Sequence, residues 1–265
     1  MRLKSIASGA IFSILSVAVT AMAAQDPAQV YQEALADYNQ RSATNLASID
    51  RAIANLAKVE NTAADANLNY DILVLESRAL YWKGTHLKDQ EQVKEVHLQG
   101  QGKADAAAKL KPTYADAHYY AGINLARWGE ANGILPSLSK LGALKNYMAL
   151  ASKQTTRSGA EGGTVDGYGP SRVLGRIFYK LPVVFGGSRK KSLEHLKTAF
   201  DNAKDLALNV VYYAETLSKG SDAEKAEAIK ILDELLANNP ETYNKDRIPE
   251  NLEEFKEGQK LRDQL

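Results

Sequence analysis

After residue 24, apolar residues return at three- and four-residue spacings along almost the whole chain, with no sustained alternation of β-branched residues. That period belongs to amphipathic helices and not to half-buried strands, so the pattern predicts an all-α protein. Helices are expected over 27–41, 44–60, 64–84, 88–110, 113–130, 136–154, 167–181, 188–205, 207–219, 221–238 and 249–262. They follow one another as consecutive pairs with a single helix left at the end.

The pairs carry a repeated spacing. Ala121, Gly122 and Leu125 place an apolar, a small and a large residue on a first helix, and Leu174, Gly175 and Phe178 do the same further on. Second helices repeat Ser192, Leu196, Ala199 and then Ala228, Leu232, Leu235, with Pro240 as a terminator. This resembles the tetratricopeptide repeat, a helix-turn-helix unit of about 34 residues, in which the glycine admits a close neighbouring helix. Trp82 and Trp128 mark comparable places near first-helix ends, and their longer separation points to insertions at residues 132–137 and 181–187. The expected fold is a tetratricopeptide-like helical-repeat array, an α-solenoid of about five helix pairs and a C-terminal helix.

Residues 154–169, QTTRSGAEGGTVDGYG, are rich in glycine and poor in apolar side chains, so a mobile or ligand-facing loop is expected there, inside one domain. The helix after it has Asp166 or Ser171 as a cap and Pro170 in its first turn. Arg172 and Arg176 lie four residues apart beside Tyr168 and Tyr179, which makes an anion-capable surface. The competing reading bonds these arginines to loop carbonyls and to Glu161 or Asp166. Leu181-Pro182 ends the helix, Val183 to Phe185 read as a short apolar plug, and Gly186-Gly187 leads to Ser188 as the next N-cap.

Tyrosine is plentiful, thirteen against five phenylalanines, and Tyr119-Tyr120 and Tyr212-Tyr213 sit in first helices. Neighbouring residues on a helix point about 100° apart, so one of each pair is expected in the core and the other in the concave groove. The candidate binding residues are therefore Asp166, Tyr168, Arg172, Arg176, Tyr179, Phe185, Gly186, Gly187, Tyr119 and Trp128.

The chain's first 23 residues set Arg2 and Lys4 before a short apolar run and end on small residues, the form of a cleaved secretory signal peptide. The mature domain is then 24–265, exported and periplasmic. With no cysteine it has neither disulfides nor a lipid attachment site after the leader. The formal charge of +1 becomes about −1 once Arg2 and Lys4 are removed, and no concentrated basic face argues for nucleic acid. His86, His97, His118 and His195 share no metal-ligand spacing, and His118 reads as a hydrogen-bonded structural residue. No nucleophile elbow, zinc helix or dinucleotide fingerprint is present, so neither a cofactor nor an enzymatic function is expected.

Taken together, R-x-x-G-x-I-x-x-K-L-P from Arg172, then F-G-G-S from Phe185, then LEHLKTAF resemble the T-component family of TRAP transporters, exported tetratricopeptide-like proteins. The resemblance implies self-association, a periplasmic solute-binding protein as partner, and a passage or pocket in the array for an apolar ligand. It covers residues 166–200 most closely and 28–240 loosely. Members of that family are lipoproteins, which this chain, without cysteine, cannot be. Independently of it, the arginines and tyrosines suit a small apolar or organic-anion ligand, and a general protein-interaction module is the third expectation.

Overall fold

A computed structural model of the protein describes residues 25–265. The expected signal peptide lies outside them. The protein is all-α, and each of the eleven expected helices is present among the described residues: α1 (Pro27–Asn39), α2 (Ala47–Val59), α3 (Ala66–His86), α4 (Gln90–Leu110), α5 (Ala115–Asn132), α6 (Leu141–Lys153), α7 (Val165–Lys180), α8 (Arg189–Asn202), α9 (Ala207–Leu217), α10 (Asp222–Leu236) and α11 (Ile248–Arg262). Single helical turns at Ile134–Ser137 and Pro240–Tyr243 fill two connections. None of these helices is long and apolar enough to cross a membrane.

Side-chain caps set the helix starts. Asp26 accepts from Ala28 N–H ahead of Pro27, Asp65 from Asn67 and Asp89 from Gln92, while Ser221 and Glu224 form a reciprocal capping box. Ser188 caps α8 as expected, accepting from Lys191 N–H. At α7 the expectation fails. Asp166, Gly167 and Tyr168 all have left-handed backbone angles, so the regular helix begins only after them and neither Asp166 nor Ser171 acts as its cap.

Each first helix packs on its own second helix, and first helices also touch in succession, α1 on α3, α3 on α5, α5 on α7 and α7 on α9. The small positions explain how close these approaches are. A Cβ on Gly122 would lie 2.1 Å from Met148 Cε, and one on Gly175 2.5 Å from Leu196 Cγ. The second-helix residues Ser192, Leu196, Ala199, Ala228, Leu232 and Leu235 are all buried, as their spacing requires. The core is accordingly distributed: one apolar cluster spans α1 to α3, another spans α8 to α11, and smaller ones lie between.

A buried polar network crosses this core at His97, Asn124 and Ser77. His97 is buried and hydrogen-bonds through Nδ1 to Asn124 Oδ1 at 3.1 Å, while Asn124 Nδ2 donates to Ser77 Oγ at 3.1 Å and to Tyr120 O at 3.0 Å. Asn124 thus accepts from an Nδ1–H, which leaves His97 Nε2 as an acceptor without a partner. Gly84 and Gly100 make the space, since a Cβ on either would strike His97 or Asn124 within 2.8 Å. His118 bonds to Pro112 O at 2.9 Å and is structural, as its position suggested.

Candidate functional site

Four first helices turn one stripe each toward a shared interior. On α3 the stripe is Arg78, Tyr81, Trp82 and Thr85; on α5, Tyr120, Ile123, Arg127 and Glu130; on α7, Arg172, Val173, Arg176 and Ile177; on α9, Leu208, Val211, Tyr212 and Glu215. Spacings of three and four residues hold each set on one helix face. α11 contributes a row of acids, Glu250, Glu253, Glu254 and Glu257. Together they surround a cavity of about 1050 Å³. That is the scale of a pocket for a drug-sized molecule.

α11 packs on α9 and α10, and its side chains also reach back to the first two helix pairs. Arg41, at the end of α1, grips Glu250 through Nε at 2.9 Å and Nη2 at 2.8 Å, and its guanidinium lies over the Tyr38 ring. His86 places Nδ1 2.7 Å from Trp82 O and Nε2 3.0 Å from Glu253. Both ring nitrogens thus face oxygen acceptors. The two ends of the array are thereby tied together beside the cavity.

A polar cluster in the cavity wall is built on Asp166. Its carboxylate accepts from Arg172 Nη2 and Tyr119 Oη, each at 2.5 Å, and from Arg247 Nη1 at 2.8 Å. Arg172 also donates to Asp166 O at 2.9 Å, Gly167 O at 3.2 Å and Asn209 Oδ1 at 3.0 Å. Burial by itself pushes the Asp166 carboxyl up, but the Arg172 and Arg247 guanidiniums and the Tyr119 hydroxyl outweigh it and hold the group below its ordinary value. The left-handed turn at residues 166–168 aims this carboxylate inward. Gly169 lets the Tyr119 ring approach, because a Cβ there would lie 2.4 Å from it. Nearby, burial raises the Glu254 carboxyl to about 7 against the pull of Arg247 and Arg172, while its Oε2 accepts from Leu208 N–H at 3.1 Å.

The expected site residues divide by place. Asp166, Arg172, Arg176, Tyr119 and Trp128 all line the cavity. Arg172 follows the competing reading, bonded to loop carbonyls and Asp166, with only 3% of its surface exposed. Arg176 pairs with Glu215 and stacks over Tyr212 at 3.8 Å, with Tyr179 at 4.9 Å behind it. Tyr168 and Tyr179 lie beside the cavity lining and not in it. The expected plug is corrected outright: Val183 and Val184 are 81% and 83% exposed, and Phe185, Gly186 and Gly187 form a surface turn outside the cavity. A 3₁₀ turn after Pro182, closed by Gly186 at φ +89°, carries these side chains outward.

The glycine-rich segment faces the cavity only in part. Its backbone is pinned to α5, with Ala115 N–H donating to Thr155 O at 2.7 Å and Arg157 N–H to Asp116 at 2.6 Å, and Arg157 pairs with Asp71 of α3. Only its last part, at Asp166, reaches the cavity. The tyrosine pairs behave as their spacing predicted. Tyr119 and Tyr213 are the buried members and Tyr120 and Tyr212 face the cavity, so the candidate Tyr119 touches the lining only as a packed core residue beside Tyr120.

Sequence reasoning missed Arg78, Arg127 and the acidic row of α11. Arg78 precedes Trp82 by one helical turn, so the shared face was visible once Trp82 was placed. The acids on α11 stand among lysines, a pattern typical of a solvated face, and only the return of that helix to the first pairs turns them inward. No protein-family model matches the chain, and none of the curated proteins searched matches it.

Proposed function

We propose that the protein is a non-enzymatic helical-repeat binding protein whose cavity holds a small amphipathic molecule. The cavity itself carries this reading: about 1050 Å³ between tyrosine, aliphatic and arginine side chains, in an array whose ends are tied together across it. Aromatic rings with polar tips beside aliphatic walls suit a molecule that is apolar over most of its length. Native mass spectrometry of the purified chain, with titration of the neutral dye Nile red, tests it. A retained small molecule, or saturable dye binding lost when Ile123 is replaced by Arg, is expected; neither a retained molecule nor dye binding refutes it.

A second observation favours a protein partner as well. Ile134, Leu135, Val183 and Val184 are exposed apolar residues on the turns that follow α5 and α7, equivalent positions in successive pairs. Exposed apolar side chains on neighbouring units are a common feature of interaction surfaces. With the sequence resemblance of residues 166–200, they support an exported accessory of a TRAP-type transporter whose partner is the solute-binding subunit. Pull-down from a periplasmic extract is the test, and recovery of no solute-binding protein removes this second reading while leaving the first.

A further inference from the structure

The arginines around the cavity are matched to carboxylates with one exception. Arg41 has Glu250, Arg127 has Glu130, Arg176 has Glu215, and Arg172 and Arg247 share Asp166. Arg78 lines the same cavity and is paired with no carboxylate among the described residues, and its buried Nε–H has no hydrogen-bond partner. Its guanidinium instead lies 4.8 Å from the Tyr38 ring centroid and 5.6 Å from that of Tyr120. Burial pushes the Tyr120 phenol above its ordinary value, so the ring beside the cation is neutral at pH 7. Aromatic faces offset part of the cost of desolvating a guanidinium but leave its donor fork unused. Asp166, which lines the same cavity, is already committed to two other arginines.

We propose that Arg78 anchors the carboxylate of an organic monoanion whose apolar body lies along Tyr120, Ile123 and Tyr212. This rests on the cavity-binding reading and names its ligand class. The fork of a guanidinium matches a carboxylate with two parallel hydrogen bonds. A dianion is disfavoured, because Glu253, Glu254 and Glu257 of α11 line the same cavity and would face its second charge.

Calorimetric titration of the full mature chain at pH 7 tests the anchor with two acid and alcohol pairs, octanoate with 1-octanol and 4-phenylbutyrate with 4-phenyl-1-butanol, and with octyl phosphate. Each acid is expected to bind about ten- to a hundred-fold more tightly than its alcohol, the range of a hydrogen bond to a charged group. Arg78→Gln is expected to abolish that gap while leaving alcohol binding in place, which also shows that the variant is folded, and Arg78→Lys should restore part of it. The ranking of the two acids separates a fatty from an aromatic ligand, and either order supports the anchor. Acid and alcohol of equal affinity in the wild type, or a gap that survives Arg78→Gln, overturns it; octyl phosphate binding more tightly than octanoate overturns the carboxylate assignment. Absence of binding by acids and alcohols alike overturns the cavity reading too, whereas alcohols that bind as well as acids leave that reading standing and sink only the anion.

Discussion

Asp166 and Arg172 meet at 2.5 Å in a pair whose arginine is almost wholly removed from solvent, and the same carboxylate holds Arg247 from the loop before α11. One acid therefore serves a buried guanidinium and a partly buried one from distant parts of the chain, the second also paired with Glu254. Asp166→Asn leaves Arg172 without a counterion and Arg247 with Glu254 alone, and should destabilise the fold by about 3–5 kcal/mol, the usual cost of breaking a buried pair. Tyr119→Phe, which removes one hydrogen bond, should cost about 1 kcal/mol. Urea denaturation of the two variants checks the order. Because the folded state holds the Asp166 carboxyl below its ordinary 3.8, its contribution is present above that value and is lost as pH falls through the lower folded value.

Gly122 and Gly175 occupy the same repeat position but face neighbours of different stiffness. A methyl at Gly122 meets the flexible end of Met148, whereas at Gly175 it meets Leu196 Cγ at 2.5 Å and the Leu196 backbone nitrogen at 3.2 Å. Gly175→Ala should therefore cost about 1–3 kcal/mol, and Gly122→Ala less than about 1 kcal/mol, since helix propensity favours alanine at both. Thermal unfolding of the pair distinguishes them, and equal losses would contradict the packing account.

His97 supplies a pH dependence. Burial lowers its imidazole from an ordinary 6.5 to about 4, only partly countered by the hydrogen bond to Asn124. The unfolded chain binds a proton that the folded one refuses between those values, so stability should fall as pH drops from 6.5 toward 4. The loss is at most about 3 kcal/mol at one unit of pKa per 1.4 kcal/mol. Denaturation midpoints measured at pH 7 and pH 4.5 should therefore lie closer together in His97→Gln than in the wild type, whatever the variant's absolute stability.

Val183 and Val184 make no contribution to the core in this structure. Replacing both with Asp should shift stability by less than about 0.5 kcal/mol. The double variant should nevertheless lose capture of a solute-binding protein in the periplasmic pull-down if these turns form the partner surface. Undiminished capture would move that surface elsewhere.

Much of the array is legible in local chemistry. Helix positions followed from periodicity, the cap at Ser188 from a short polar side chain before an apolar run, and the burial of Ser192, Leu196 and Ala199 from the repeat spacing. Residues 166–187 were harder. Glycines that read as loop flexibility proved to serve a left-handed turn at Gly167 and the approach of the Tyr119 ring at Gly169, and an apolar tripeptide that read as a plug faces water. A glycine records that a side chain is unwelcome, without saying what stands in its place.

Fold class, helix pairing and the division of each tyrosine pair between core and cavity were thus legible in the sequence itself, though not which member goes where, because a periodicity of 3.6 residues and the size of one side chain act within a turn or two of helix. Tertiary structure alone decided which arginines are matched. Asp166 reaches Arg247 across 81 residues and Arg41 reaches Glu250 across 209, contacts that exist only because α11 returns to the first two pairs. Arg78 is distinguished by what those long-range pairings leave over, and a charge left unmatched in a cavity is a property of the assembled array that no local pattern encodes.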